Sequence, residues 1–503
     1  PNVWGEQFRR GSEVLEHPQS IWNEMVLEKD DRDVGRLRSP GPIARMDATP
    51  AQIDRPPPRL GEHDAAIRTE AANAKPPEEK GNIATAPRNA KPLEGVTVVE
   101  LGTYYAAPYG ATLLAELGAR VIKLEQLDGD PQRIMLPFPE LAGMKALQGK
   151  ESVAIDLSSE QGRAIAYRVI EDCDIILQSF RAGAAARLKL DAETIAKINP
   201  NVIYLASPGY GEDGPCGHRP AFAPTIGAAA GLAWRQAGTL VPHGPDLPLE
   251  MVKPAAMQLA AAVMGVGNAD GTSAVTAATG MMLGLVARNR GAGGQHLLST
   301  MLSSVSHLIS EVTVEYEGRP APATAGEDLY GFNALYRLYP TADEWVFLAA
   351  PSDREWRRLT QALPGGARLA SDERFSTRES RVRNDAALGS EIGAILVTRT
   401  GAEWERDLRA ADVACVVAAQ APVESHYMDE GDVGAQCQLV VQARHPILDE
   451  IPRLAPLVRF SRSGTVAGDA GLCGQHTNKV LSDYGYSDAE LATLASDNII
   501  MQN

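Results

Sequence analysis

The segment VTVVELGTYYAAPYGATLLAELGARVIKLE, residues 96–125, has the clearest secondary-structure pattern in this 503-residue chain. Its valine-rich start, residues 96–101, predicts a buried strand. The alanine- and leucine-rich residues 111–116 predict a helix, and residues 120–125 predict a second strand. Strands joined by a helix at this short spacing are typical of a βαβ unit with parallel strands.

The same alternation continues along the chain. Further strands are predicted at residues 152–157, 174–178 and 202–206, with helices at 161–170 and 192–198 between them. We therefore predict an α/β fold with a Rossmann-like large domain built on a parallel sheet. Its ligand site is expected at the carboxyl ends of the strands.

Composition narrows the class of protein. Hydrophobic residues make up 44% and charged residues 22% of the chain, as in globular enzymes of two or three domains. The net charge of -16 disfavours a nucleic-acid or anionic-membrane partner. The most apolar stretches, such as AAMQLAAAVMGVG at 255–267, are shorter than the roughly 20 residues that a membrane-spanning helix needs.

The cysteines and histidines do not form a metal-site pattern. Five cysteines without a C-x-x-C pair predict free thiols in a reducing, cytoplasmic compartment, and no metal site is expected. They are Cys173, Cys216, Cys415, Cys437 and Cys473.

Two parts of the sequence near its ends resemble each other. PRLGEHDAAIRTE at 58–70 is similar to AGLCGQHTNKVLSD at 470–483, and EHPQ around His17 is similar to RHPI around His445. His63 and His476 lie 413 residues apart, and His17 and His445 lie 428 apart. We interpret residues 1–70 as the tail of a preceding module, 71–91 as a Pro- and Ala-rich linker, and the remainder as a second copy.

Asp270 lies in GNADGTSA, residues 267–274, just before a long apolar segment that ends in RNRGAGGQ at 288–295. An aspartate followed by Gly-Thr-Ser predicts a helix N-cap. Free N–H groups and the helix dipole would also keep the carboxylate ionised, and an ionised carboxylate can act as a nucleophile. Both roles stay open at this point.

Two further patterns concern anionic ligands. The turn ELGTYYAAPYG lacks G-x-G-x-x-G, which disfavours NAD, although Glu125 ends the second strand where a ribose-binding acid would lie. Arg181 and Arg187 follow a predicted strand. They could bind phosphates in a bidentate manner, through two N–H groups of each guanidinium, or they could be solvated surface residues.

Together these stretches resemble the class III CoA-transferases, which include formyl-CoA:oxalate and carnitine CoA-transferases and α-methylacyl-CoA racemase. The similar stretches, in family order, are PLEGVTVVELGTYYAAPYGATLLAELGARVIKLEQLDGDP, GKESVAIDLSSEQGR, INPNVIYLASPGYGEDGP, ATGMMLGLVARNRGAGGQH, YPTADEWVFLAA, ADVACVVA and CGQHTNKVLSDYGYSDAEL. The resemblance implies a Rossmann-type part at 92–310, a smaller α+β domain at 311–440, and a return to the large domain at 441–503. It also implies an interlocked homodimer, or pairing with a preceding copy.

The resemblance implies site residues as well. Asp270 takes the position of the family's nucleophile, and coenzyme A or acyl-CoA is expected as substrate, without a metal. The implied CoA contacts are Tyr104, Tyr105, Ala106, Ile155, Ser179, Phe180, Arg181 and Arg187. Phe222, Trp234 and Gly331, with Phe332 and Tyr336, are candidates for the acyl or acceptor pocket, core packing being the alternative for the aromatic ones.

The sequence also departs from the family pattern. Gln126 and Ser158 stand where basic residues are frequent, and RPAFAPTIG has Phe222 and Ala223 in place of the His-Asp pair of racemases. DLYGFNALYRLY around Gly331 replaces a glycine-rich loop. Without that histidine two-base racemisation is disfavoured.

We therefore predict transfer of CoA from an acyl-CoA donor to a small carboxylate acceptor through an aspartyl-CoA thioester on Asp270. A CoA-transferase/lyase that cleaves dimethylsulfoniopropionate is one alternative. A non-catalytic half of a tandem enzyme is the other.

Overall fold

The computed structural model describes residues 5–74, 87, 89–134, 144–242, 246–264, 268–326, 328–420 and 433–503. These residues form two compact units. The larger contains Pro1–Leu232, Met264–Arg319 and Gln438–Asn503, and the second contains Ala233–Val263 and Pro320–Cys437. The second unit thus includes residues 233–263, which lie in the predicted Rossmann-type part. Most of the predicted linker, at 75–86 and 88, lies outside the described residues.

The N-terminal segment belongs to the larger unit. A 3₁₀ helix at Gly11–Glu16 leads into α1 (Pro18–Trp22). A hairpin follows, formed by β1 (Val26–Asp31) and β2 (Gly35–Pro40). The segment continues through β3 (Arg45–Met46) and α2 (Asp64–Asn73).

A mainly parallel sheet forms the centre of the larger unit. Its parallel strands are β4 (Thr97–Leu101), β5 (Arg120–Glu125), β6 (Lys150–Ile155), β7 (Ile175–Gln178), β8 (Ile203–Ala206) and β9 (Gln295–Leu298). The full order is β16-β6-β5-β4-β7-β8-β9-β3, with antiparallel strands β3 and β16 at the two edges. The predicted α/β fold is confirmed.

Helices lie between and after these strands along the chain, and two of them, at 232–237 and 249–264, belong mostly to the second unit. In chain order they are α3 (Ala106–Glu116), α4 (Met144–Leu147), α5 (Glu160–Ile170), α6 (Ala184–Arg187), α7 (Ala192–Ile198), α8 (Ala223–Ala230), α9 (Leu232–Ala237), α10 (Leu249–Met264), α11 (Asn268–Ala287) and α12 (Met301–Leu308). A 3₁₀ helix lies at Pro131–Ile134, and a π-helical turn at Arg288–Ala292 follows α11. Helix α3 begins at Ala106, earlier than the predicted start at residue 111. Its first turn contains Pro108, and a proline is tolerated there because its position needs no N–H donor within the helix.

The second unit contains a four-stranded antiparallel sheet with helices. Its elements are β10 (Gly331–Asn333), β11 (Tyr336–Pro340), β12 (Trp345–Ala349), α13 (Asp353–Ala362), α14 (Gly366–Ser371), a 3₁₀ helix at Glu373–Phe375, α15 (Arg378–Arg383), α16 (Asp385–Leu396), α17 (Gly401–Ala410), β13 (Ala414–Val417) and α18 (Val433–Gln436). Trp404 and Phe375 are fully buried in its core.

The C-terminal segment returns to the larger unit. It contains a hairpin of β14 (Val440–His445) and β15 (Asp449–Leu454), then α19 (Thr477–Asp483), α20 (Asp488–Ser496) and β16 (Ile500–Met501). Helices α5, α7, α19 and α20 cover one face of the parallel sheet with apolar side chains, and α3 and α11 cover the other. Strands covered on both faces explain the near-continuous apolar runs that predict them.

The two chain ends repeat a local structure. The hairpins β1–β2 and β14–β15 have equal strand lengths, and Val26 and Val440 lie 414 residues apart (440 minus 26). His63 and His476 are N-cap residues of α2 and α19 with nearly the same backbone angles. The second sequence comparison is wrong, because His17 caps α1 ahead of the first hairpin whereas His445 ends a strand of the second.

No helix in the described ranges combines the length and apolar character needed to cross a membrane.

Candidate functional site

A cavity of about 380 Å³ lies at the carboxyl ends of β4, β5 and β6. This is where a parallel α/β sheet places its ligands. Two of the predicted CoA contacts, Ile155 and Phe180, line it. Gln126 and Ser158, which stand where the family often has basic residues, line it too. Other lining residues are Gly102, Thr103, Lys123, Glu125, Asp130 and Asp156.

A second cavity of about 310 Å³ shares Phe180 with the first. Arg181 lines it, together with Gln178, Glu212 and His296. Arg187 ends the short helix α6, is exposed, and lines neither cavity. The structure therefore brings Arg181, but not Arg187, to the edge of the predicted binding region.

The loop between β4 and α3 joins several of the predicted residues. Tyr104 has a φ of 64°, a left-handed conformation that is costly for a residue with a side chain. Its N–H donates to Asp130 Oδ1 at 2.9 Å, and the N–H of Thr103 donates to Ser179 Oγ at 3.2 Å. The rings of Tyr104 and Phe222 meet edge to face with centroids 5.3 Å apart. Tyr104, Ser179 and Phe222 thus lie around one loop.

Asp270 lies in the first turn of α11, whereas the sequence predicts it as the N-cap before the helix. Helix α11 starts two residues earlier, at Asn268, and residues 265–267 ahead of it lie outside the described residues. Burial raises the pKa of the Asp270 carboxyl, which is opposite to the stabilisation of the anion expected from a capping position. The loss of hydration therefore outweighs the stabilisation that neighbouring groups give to the carboxylate anion.

Helices α3 and α11 pack closely enough to bring Tyr105 to Asp270. A Cβ at Gly110 would lie 2.9 Å from the carbonyl oxygen of Ala274, so the two backbones are almost in contact there. Tyr105 and Asp270 lie toward the N-terminal ends of the same two helices and interact electrostatically. Burial, then Tyr109, then Asp270 raise the pKa of the Tyr105 phenol to about 12, so it keeps its proton at neutral pH.

Glu125 does not have the free carboxylate that a ribose-binding role would need. It is 3% exposed, and Arg133 donates to both of its oxygens, at 2.7 and 2.8 Å. Ser152 Oγ donates at 2.6 Å and the N–H of Asp130 at 2.9 Å. Its acceptor positions are therefore occupied by groups of the protein.

The remaining pocket candidates belong to the second unit. Trp234 lies on α9, and Gly331 begins β10. The guanidinium of Arg235 lies 5.0 Å from the ring centroid of Phe332, which stacks on Tyr336 at 5.6 Å. Phe332 and Tyr336 thus lie together in this unit, while Phe222 belongs to the larger unit.

Sequence inspection missed the charged residues beneath the loop. Lys123 and Lys150 are buried within strands, and Asp130 is buried in the segment that follows β5. A signal was present, because a lysine inside an otherwise apolar strand of a parallel sheet needs a buried partner.

His296 lies between two carboxylates of the larger unit. Its Nε2 is 2.6 Å from Glu212 Oε2 and its Nδ1 is 3.1 Å from Asp47 Oδ2, so it connects the N-terminal segment to the sheet. Burial alone would lower its pKa, but Glu212 and Asp47 outweigh burial and raise it.

We expect this histidine to make stability depend on pH. Because the pKa of His296 is higher in the folded than in the unfolded protein, its protonation stabilises the fold. This stabilisation is complete at pH values below the unfolded-state pKa of 6.5 and is lost as the pH rises through the folded-state pKa. The melting temperature of the wild type should exceed that of His296→Gln by a larger margin at pH 6 than at pH 9. Each kcal/mol of difference in the free energy of unfolding corresponds to about 2–4 °C. Thermal unfolding at both pH values checks this, and Asp47→Asn should reduce the pH effect. A gap of equal size at both pH values would contradict it.

Among the described residues, no cluster of three or more His, Cys, Asp or Glu side chains could hold a metal ion. Of the cysteines, Cys173, Cys216, Cys415 and Cys473 are buried, and Cys437 is exposed.

The sequence matches the family described as CoA-transferase family III over residues 2–64 and 93–477. The chain belongs to this family. It is therefore a CoA-transferase, and the resemblance seen in the sequence is confirmed. The match includes both the N-terminal segment and the part of the chain after the predicted linker.

Individual relatives extend this result. Succinyl-CoA–D-citramalate CoA-transferase of Chloroflexus aurantiacus is 28% identical over 426 residues, which are 82% of this chain and 99% of that protein. A probable CoA-transferase of Mycobacterium tuberculosis, Rv1866, is 27% identical over 374 residues, which are 73% of this chain but 44% of that protein. The crystal structure of Rv3272 from M. tuberculosis shares the fold, with a TM-score of 0.63, 24% identity, and coverage of 78% of this chain and 99% of that one.

Proposed function

We propose that Asp270 is the nucleophile in transfer of CoA from an acyl-CoA to a small carboxylate. One observation carries this proposal. The loop of residues 102–106 lines the 380 Å³ cavity through Gly102 and Thr103, and through Tyr105 it interacts with Asp270. A CoA held in the cavity can therefore extend along this loop toward the carboxylate.

The chemistry proceeds by acyl exchange on the aspartate. The Asp270 carboxylate attacks the thioester carbonyl, which forms a mixed anhydride and releases CoA thiolate. The thiolate attacks the aspartyl carbonyl, giving the aspartyl-CoA thioester and the free donor acid. The acceptor carboxylate attacks this thioester and releases the thiolate again. The thiolate then attacks the acceptor carbonyl of the second anhydride, which yields the new acyl-CoA and regenerates Asp270.

The surroundings of Asp270 suit this sequence of steps. Burial destabilises its anion, so a poorly solvated carboxylate is available to attack, while exclusion of water protects the anhydrides from hydrolysis. Ala106 and Ala107 begin α3. The backbone N–H groups of a helix's first residues have no acceptor within the helix, so those of Ala106 and Ala107 can stabilise an oxyanion. The protonated phenol of Tyr105 is a further donor on the same side.

Trapping tests the nucleophile directly. The complete protein is incubated with an acyl-CoA and hydroxylamine, and modified peptides are identified by mass spectrometry. A hydroxamate on Asp270 supports the proposal, and modification at no carboxylate rejects it. Release of dimethyl sulfide from dimethylsulfoniopropionate and acetyl-CoA would instead indicate the lyase alternative.

We expect Tyr105→Phe to slow transfer by about 10-fold, because one neutral hydrogen-bond donor near the reacting carboxylate contributes on the order of 1–1.5 kcal/mol. Steady-state kinetics with saturating acyl-CoA measures this. Tyr109→Phe is the matched control, since the ring of Tyr109 lies tilted against that of Tyr105, with centroids 5.4 Å apart, but one turn further along α3. Equal effects of both substitutions would contradict a specific role for Tyr105.

We also propose that residues 1–70 are the tail of a preceding family copy. The repeated hairpins, 414 residues apart, and the repeated helix caps, 413 residues apart, support this. The relative Rv1866 is more than twice as long as the region that matches this chain, as expected if such proteins contain two copies. Pairing of copies, within one chain or as a homodimer, would then complete the assembly. The mass of the complete protein and its mass in solution test this.

A further inference from the structure

Four side chains, three of them buried, hold four backbone groups of the segment from Gly102 to Pro108. Lys123 Nζ donates to the carbonyl of Gly102 at 2.7 Å, and Lys150 Nζ donates to the carbonyl of Pro108 at 2.6 Å. Between them, the N–H groups of Thr103 and Tyr104 donate to Ser179 and Asp130. The segment that connects the cavity to Asp270 is therefore fixed from strands β5 and β6 and from the residues that follow β5 and β7.

The charges beneath the segment form a balanced network, which we call the buried cradle. It consists of three cations and three carboxylates: Lys123, Lys150, Arg133, Glu100, Asp130 and Glu125. Lys123 pairs with Glu100 and Asp130, both at 2.8 Å, and Lys150 pairs with the other oxygen of Glu100. Arg133 pairs with Glu125.

A buried network of this size is a costly way to stabilise a fold. Apolar side chains of similar volume often stabilise a core as well as buried ion pairs do, because the charges lose their hydration. The cradle also maintains the left-handed conformation of Tyr104, which by itself costs roughly 1–2 kcal/mol. The network therefore fixes the position of the loop and of the start of α3, where Tyr105 interacts electrostatically with Asp270.

We propose that Lys150 is a positioning residue for CoA transfer. Its ammonium group connects Glu100 on β4 to the Pro108 carbonyl in the first turn of α3, and so sets where Tyr105 and the N–H groups of that turn lie relative to Asp270. This role rests on the proposed function of Asp270. Lys150 does not line the 380 Å³ cavity, so its effect on transfer can be separated from CoA binding.

The test compares binding with transfer in the complete protein carrying Lys150→Met. CoA affinity, measured by calorimetry, should change by less than about 3-fold, while kcat should fall by about 10- to 100-fold, because misplacement of catalytic groups by about 1 Å is enough for such a loss. Lys145→Met is the matched control. Lys145 pairs with Glu116 at 3.1 Å at the far end of α3, and its loss should leave kcat within about 2-fold of wild type.

A second variant separates position from charge balance. Glu100→Gln with Lys150→Met removes one charge of each sign, so the network stays neutral and folding should recover, but the Pro108 carbonyl remains without its lysine. The double variant should therefore bind CoA and still transfer slowly. Wild-type kcat in the folded double variant would overturn the proposal, as would loss of CoA affinity in proportion to kcat.

The two proposals fail in different ways. If no adduct forms on Asp270 in the wild type, the proposal that Asp270 is the nucleophile is rejected. The role of Lys150 would then still be tested by comparing the CoA affinity of Lys150→Met with its kcat. An Asp270 adduct that forms as fast in Lys150→Met as in the wild type would reject the positioning role alone.

Discussion

Asp270→Ala is expected to lower CoA transfer by at least about 10³-fold, because no other group can form the acyl intermediates at that position. Alanine suits a helix, and removal of a buried carboxylate relieves a desolvation cost, so the melting temperature should be unchanged or slightly raised. Single-turnover kinetics and thermal unfolding measure the two effects.

Asp488→Ala is the matched control for this prediction. Asp488 also lies in the first turn of a helix, α20, but it is exposed and far along the chain from the site. Its substitution should leave the transfer rate unchanged. If Asp270→Ala retained more than about a tenth of wild-type turnover, the nucleophile would lie elsewhere, and the interpretation as the supporting half of a tandem enzyme would be favoured.

Arg133→Met is expected to lower the free energy of unfolding by about 3–5 kcal/mol, because it leaves the buried carboxylate of Glu125 without its cation. Arg133 is 2% exposed and also donates to the carbonyl of Gly471 at 3.0 Å, which links the cavity wall to the C-terminal segment. Urea unfolding measures the change. Because Glu125 lines the cavity, CoA affinity should fall as well.

Two further variants define the cause. Arg120→Met, on the same strand as Glu125, removes pairs with Glu151 and Asp483 in which the arginine side chain is 35% exposed, and should cost at most about 1 kcal/mol per pair. Adding Glu125→Gln to Arg133→Met should recover part of the lost stability, because no unpaired charge then remains. A loss below about 1 kcal/mol for Arg133→Met would show that Glu125 finds another partner.

Local patterns predicted much of the fold. The strands at 120–125 and 174–178 and the helices at 161–170 and 192–198 lie within a residue or so of the observed bounds, because their apolar residues repeat at the periods of strands and helices. The start of α3 was placed five residues too late, since a proline in the first turn obscured it. The His17 comparison failed because four matching letters carry no information about their place in a hairpin.

The site was only partly accessible to such patterns. Asp270, Tyr104, Tyr105, Phe180 and Ile155 were candidates from family resemblance. The structure places Ile155 and Phe180 at the cavity, Tyr104 and Tyr105 in the loop before α3, and Asp270 in the first turn of α11. Arg187 was included on the same grounds, yet it lines neither cavity. A guanidinium that follows a strand can point in several directions, and the sequence does not reveal which.

Sequence alone was sufficient for the α/β class, the family and the position of a candidate nucleophile, because these depend on apolar periodicity and on the order of motifs. Three-dimensional packing settled the rest. It placed Asp270 inside the first turn with a raised pKa, occupied Glu125 with Arg133, and assembled the buried cradle from strands β4, β5 and β6. These outcomes depend on which charged side chains share a desolvated space, and Glu100 and Lys150, 50 residues apart in the chain, meet only when the strands align.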